Sequence, residues 1–181
     1  MVVSTLSRGY KQLVKLPALR NADADTRLST YLNDHRAGAA GGVELARRLY
    51  QQNKDTEYGP ELQSVLHEIE EDIQSLADVM ARFGVEEDTL KMAGAWAAEK
   101  AGRLKLNGQL LGYSPLSRLV EVEGLMLGIT GKLALWIALQ DVYAGDPRVA
   151  GIDLGRLVDR ARDQRQSLEG LRRRCAREAL T

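Results

Sequence analysis

The sequence predicts an all-α protein: an antiparallel four- to five-helix bundle around a buried central helix. Three observations carry this reading. Apolar residues recur at helical spacing in several long segments. No stretch shows the strict alternation of a half-buried strand. Residues 116–144 carry only Arg118, Glu121, Glu123, Lys132 and Asp141 as charges, with apolar residues on every side, as in a helix buried nearly all round.

Composition sets the frame for that fold. With 181 residues, 44% apolar and 28% charged, the chain has the make-up of one folded domain rather than a disordered segment. Lys+Arg and Asp+Glu both total 25, so the overall charge argues against a nucleic-acid partner. Cys175 is the single cysteine, which excludes an internal disulfide and points to a reducing, cytoplasmic setting. Arg8, Lys11 and Lys15 interrupt the apolar residues near the start, so no signal peptide is expected. The least polar run, residues 124–139, contains Lys132 and is shorter than the roughly 20 residues a membrane span needs; no transmembrane span is expected.

In chain order, residues 1–27 read as an arm laid over a bundle formed by residues 28–181. Val3, Leu6, Tyr10, Leu13 and Val14 suit a short amphipathic helix ending before Pro17. The first long helix covers about residues 29–52, with Leu28, Leu32, His35, Ala39, Val43, Ala46 and Tyr50 on one stripe. Gly38 and Gly42 flank that stripe and predict close approach of another backbone. His35, inside the stripe, reads as a hydrogen-bonded structural residue, with a ligand role as the alternative.

Pro60 opens the second helix at a favoured first-turn position and Gly84 closes it. Leu62, Val65, Leu66, Ile69, Ile73, Leu76 and Met80 form its apolar face; Glu61, Glu68, Glu70, Glu71, Asp72 and Asp78 make the other side acidic. Asp72 borders the apolar stripe and is the acid expected to point inward. A third, alanine-rich helix spans about residues 88–107. It has Met92, Trp96, Glu99 and Arg103 on one side and Ala93, Ala97, Ala101 and Leu104 on another, which suggests two neighbours. Ser114 and Pro115 start the central helix through cap and first-turn chemistry. The last helix, about residues 154–180, sets Leu157, Val158, Ala161, Leu168, Leu171 and Cys175 against an arginine-rich side that includes the run 172–174. That basic side is expected to be solvated or to pair with the acidic second helix.

Inward-facing acids in a helical bundle raise the question of a carboxylate-bridged dimetal centre. Such a centre takes one Glu from each of two helices and Glu-x-x-His from each of two others. Only His35 and His67 are present, and neither follows an acid by three positions. No metal and no cofactor are therefore expected. No Gly-rich phosphate loop, Cys/His zinc spacing or Ser-His-Asp anchor is visible either. Counting helical rise from the loops puts Asp72, Lys100 and Glu123 in one layer, with His35 roughly 15 Å above Glu123. Glu123, placed among Leu119, Val120, Met126, Leu127 and Thr130, reads as a buried acid paired with Lys100 or Arg103. Glu99, beside Arg103 on the third helix, completes the candidate buried polar residues.

The phrases YLNDHRAGAAGGVELARRL (residues 31–49) and GRLKLNGQLLGYSPLSRLVEVEGLMLGITGKLALW (residues 102–136) resemble a family of uncharacterised small bacterial helical proteins. That resemblance implies a helical bundle compatible with ferritin-like wiring, and it implies no activity. The functional expectation is a soluble, non-enzymatic helical-bundle protein acting through binding or assembly. The alternative is a degenerate ferritin-like protein that binds a metal or small ligand. Ala93, Ala97 and Ala101, with the apolar arm, further predict self-association as a dimer, with a protein partner as the other way to cover them.

Overall fold

The computed structural model describes residues 23–88 and 112–181, and among these it is all-helical, with no strand. Four long helices pack together: α1 (Ala24–Asn53), α2 (Gly59–Arg82), α3 (Pro115–Tyr143) and α4 (Leu154–Leu180). A single 3-10 turn, Pro147–Val149, joins the last two. The expected alanine-rich helix and most of the expected arm lie outside the described residues, as do the small-residue face and the apolar arm from which a dimer was expected.

Local chemistry explains where each helix starts. α1 begins a turn earlier than its apolar stripe suggests, because the Asp23 carboxylate accepts the Thr26 N–H at 2.8 Å and caps it. Pro60 sits in the first turn of α2. Ser114 and Ser117 form a reciprocal capping box ahead of α3, with Pro115 at its first position. Asp153 caps α4 by accepting the Arg156 N–H at 2.9 Å. Gly84, at φ 66°, lets the chain turn out of α2, and the Val85 N–H returns to Met80 O at 2.9 Å.

α3 packs most extensively on α4 and also on α1, while α1 packs on α2. Ion pairs join α2 to α4: Arg174 with Glu61, and Arg160 with both Glu71 and Asp72. After α2, the Asn33 side chain pins the returning chain to α1. Its Nδ2 donates to Glu86 O at 3.1 Å, and its Oδ1 accepts the Asp88 N–H at 2.7 Å.

The apolar core falls into two clusters. One holds Leu49, Leu62, Val65, Ile69, Val122, Leu125, Ile129, Leu168 and Leu171. The other holds Leu32, Leu76, Val79, Met80, Leu133, Trp136, Leu139, Leu157 and Ala161. Between the two sets Asp72 on α2, Lys132 on α3 and Gln164 on α4 are hydrogen-bonded to one another.

α3 is not buried nearly all round, as its composition suggested. Leu116, Glu123, Leu127, Thr130, Ala134 and Val142 are exposed along it. These residues recur at helical spacing and so form one outward stripe. Because that stripe is largely apolar, composition could not separate it from the buried face. By length and composition α3 is long and apolar enough to cross a membrane, and 39% of its most apolar stretch is buried here.

Candidate functional site

Between α1, α2 and α3 lies a slot of about 470 Å³. Its walls are mostly apolar: Ile69, Ile73 and Leu76 from α2, and Leu125, Ile129, Leu135 and Trp136 from α3. α1 supplies Tyr31, Asp34, His35 and Ala39. Tyr31 to Gly42, the extent of the α1 lining, is about 16 Å of helix. The slot is therefore elongated along the helices.

Five glycines line it: Gly38 and Gly42 on α1, and Gly124, Gly128 and Gly131 on α3. From the sequence, Gly38 and Gly42 are expected to let another backbone come close. The structure overturns that for the described residues, since among them a Cβ built on Gly38, Gly42, Gly128 or Gly131 would meet nothing within 4 Å. These glycines widen a space instead of admitting a neighbour. Only Gly124 is in ordinary contact, 3.4 Å from the Leu45 side chain.

The polar part of the wall is built around Asp72, which is 3% exposed. Its Oδ1 accepts from Arg160. Its Oδ2 accepts from Lys132 and, at 3.1 Å, from Gln164 Nε2. Lys132 also donates to Gln164 Oε1 at 2.5 Å. Arg160 reaches on to Glu71 at 2.5 Å. Burial pushes the Lys132 ammonium below the ordinary lysine range, against the opposing pull of Asp72. On α1, His35 makes an edge contact with Tyr31, ring centroids 4.6 Å apart. Burial lowers its proton affinity too, and Asp34 partly offsets this. Trp136 lines the slot, is 1% exposed, and its indole Nε1 has no hydrogen-bond partner among the described residues.

The structure treats the candidate buried residues unequally. Asp72, from α2, and His35, from α1, both line the slot. Lys100, Arg103 and Glu99 lie outside the described residues. Glu123 is a correction: its side chain is 48% exposed and faces Arg172 at 3.6 Å. It does not share the Asp72 layer, because Lys132, the α3 partner of Asp72, sits nine residues further along the helix, about 13 Å away. The buried acid of this helix is Glu121. It accepts from Arg48 and, at 3.1 Å, from the Tyr113 hydroxyl. Tyr113 in turn receives the Asn53 amide at 2.8 Å, and Arg118 Nε donates to Asn53 Oδ1 at 2.6 Å. Burial raises the Tyr113 phenol well above its usual range, so it donates as a neutral hydroxyl.

Sequence reasoning missed Lys132 as a site residue. A usable signal was present, because a lone cation beside Ile129, Leu133 and Trp136 on an apolar helix requires a buried acid partner. The arginine-rich side of α4 is largely neutralised. Arg172 and Arg173 pair with Glu169, Arg174 with Glu61, and Arg162 with Asp159. No group of three His, Cys, Asp or Glu side chains converges as a metal site among the described residues. No protein-family model matches the chain, and neither a curated protein nor a solved structure matches it significantly.

Proposed function

We propose that this chain is a small-molecule-binding protein, and that its ligand is an elongated, mainly apolar molecule held in the slot between α1, α2 and α3. The observation that carries this is the slot itself, kept open by glycines whose missing Cβ atoms leave it unfilled. Its volume lies within the roughly 300–1,000 Å³ of ordinary ligand sites, and it combines apolar walls with a few convergent polar groups. His35 and Lys132, both with proton affinity reduced by burial, are the perturbed groups that accompany such sites. Glycine in a helix interior costs about 0.5–1 kcal/mol relative to alanine, so glycines with room for a side chain are an expense that a purely structural bundle would not keep.

Binding is favoured over catalysis by the lining. Among the described residues it contains no Ser, Thr or Cys nucleophile, and none of their carboxylates is bonded to His35 as an orienting partner. A metal-binding, ferritin-like role has less support, because Asp72, the buried acid of the lining, is engaged by Lys132, Arg160 and Gln164. The reading takes the four helices as an antiparallel bundle, supported by the short connector 54–58 and by the Arg47–Glu70 pair between α1 and α2. It takes α3 as a core helix of a cytoplasmic protein, supported by its ion pairs to α1, α2 and α4 through Glu121, Lys132 and Arg118.

The test is titration with N-phenylnaphthylamine, a neutral apolar fluorophore. Saturable uptake near one per chain is expected. Gly38→Leu and Gly128→Leu, which place side chains into the slot, should each weaken uptake by about tenfold or more, a loss of about 1.4 kcal/mol. Uptake that is absent, or indifferent to both substitutions in folded protein, refutes the site.

A further inference from the structure

Resting on that slot being a ligand site, we infer that its ligand is uncharged and carries a hydrogen-bond acceptor of the carbonyl type, received at the Lys132–Trp136 end of the α3 wall. Two inventories lead there, one of hydrogen bonds and one of charge.

The hydrogen-bond inventory leaves donors over. A lysine ammonium has three N–H donors and no acceptor. Lys132 uses one on Asp72 and one on Gln164, so its third is available where the side chain borders the slot. The indole N–H of Trp136, one helical turn further along α3, is donor-only and is enclosed without a partner among the described residues. The Asp72 carboxylate is engaged by contrast, Oδ1 by Arg160 and Oδ2 by both Lys132 and Gln164, and Asp34 and His35 are the other acceptor-bearing groups of the described lining. A buried donor without an acceptor costs free energy until something supplies one. A ligand atom with lone pairs relieves that cost, whereas a second donor would add to it.

The charge inventory then separates a carbonyl from a carboxylate. Around Asp72 the two anions, Asp72 and Glu71, are matched by the two cations, Lys132 and Arg160. These four groups form a neutral cluster, and Asp34 in the lining and Glu68 acting on Lys132 add only negative charge around it. A carboxylate arriving beside it would be an uncompensated charge in an apolar slot, and its desolvation would oppose binding. A quaternary ammonium would meet the surplus donors and the Lys132 charge. A ketone, ester or amide carbonyl satisfies the donors and leaves the balance undisturbed. The elongated apolar walls supply the rest of the affinity along the body of the molecule.

The experiment is displacement of N-phenylnaphthylamine by four compounds sharing one linear hydrocarbon body: the alkane, the methyl ketone, the carboxylate and the trimethylammonium salt. In wild-type protein the ketone should displace the probe at about tenfold lower concentration than either charged compound, and more readily than the alkane. Lys132→Met removes a donor and a cation while Asp72 keeps Arg160 and Gln164. In that variant the ketone should lose its advantage over the alkane and the ammonium compound should improve relative to the ketone. In a folded Trp136→Phe variant the ketone's advantage should shrink as well. A carboxylate or ammonium that outcompetes the ketone in wild-type protein overturns the inference but leaves the slot as a ligand site. So does a Lys132→Met variant with the wild-type ranking. Failure of every compound and of the probe itself removes both.

Discussion

At the scale of single residues, the contrast between Glu121 and Glu123 shows what decides the role of an acid in this helix. The two are two positions apart, about 200° around an α-helix, so only one of them can face the core. Glu121 is 7% exposed and holds Arg48 and Tyr113. Removing it strands Arg48 and the Tyr113 hydroxyl. Glu121→Ala should therefore cost about 2–4 kcal/mol, somewhat under the figure for a fully buried pair, because Arg48 retains some contact with water. Glu123→Ala should cost less than about 1 kcal/mol, as for other exposed pairs. Urea unfolding of the two variants side by side checks the order, and an equal loss would mean that both acids are buried in solution. His35 gives a pH dependence with a definite sign. Its folded-state proton affinity lies below that of the unfolded chain, so the unfolded state binds more protons between the two values. Stability should fall as pH drops below about 6.5, the unfolded histidine value, and His35→Asn should flatten that part of the profile. These facts were partly legible beforehand. Asp72 announced itself by bordering an apolar stripe on a strongly amphipathic helix. Glu123 was misplaced because α3 is apolar on its outward stripe too, so its buried face has no polar contrast in sequence.

At the scale of the element, the glycines of the helices serve opposite ends, and periodicity could not tell them apart. Gly59, at the start of α2, has no room for a side chain: a Cβ there would lie 2.4 Å from the carbonyl oxygen of Lys54. A backbone atom cannot yield as a side-chain tip does, so Gly59→Ala should destabilise by about 1–3 kcal/mol, the usual range for overpacking. Gly38 and Gly128 have open space at the same position. Substituting alanine there should raise stability by about 0.5–1 kcal/mol per site, because alanine gives up less backbone entropy on entering a helix. Apolar probe uptake should weaken at the same time, since the added methyl groups enter the slot. Thermal unfolding and probe titration of the same samples distinguish a gain in both properties, which would speak against a ligand site, from the expected trade of one for the other. Helix starts were legible because their signals are local, as with Pro60 and the Ser114–Ser117 box. The slot was not, because it exists only once α1, α2 and α3 are side by side.

At the scale of the whole molecule, the core is divided. Asp72, Lys132 and Gln164 occupy the level between the two apolar clusters, and the slot opens at that level. In sequence these three residues are far apart, and Gln164 was indistinguishable from any polar residue of a charged helix. The layer appears only when three helices are set in register. Polar layers of this kind are costly to bury and are retained either for register or for function. The two roles separate on substitution. Asp72→Leu alone leaves Lys132 with Gln164 as its only partner and Arg160 with Glu71, so it should cost about 3–5 kcal/mol. Replacing the layer together, as Asp72→Leu, Lys132→Met and Gln164→Leu, removes the desolvation cost with the charges. The triple variant should be about as stable as the wild type, or up to about 4 kcal/mol more stable, by urea unfolding. If the layer's main role is register, that variant should lose uniqueness, seen as poorly dispersed methyl resonances or a mixture of oligomers. With a ligand site as its role, the variant should keep a single well-ordered fold, take up the apolar probe at least as well as wild type, and lose the ketone's advantage over the alkane. The second pattern is expected here, because the layer lines an open slot and leaves hydrogen-bond donors unmet beside it.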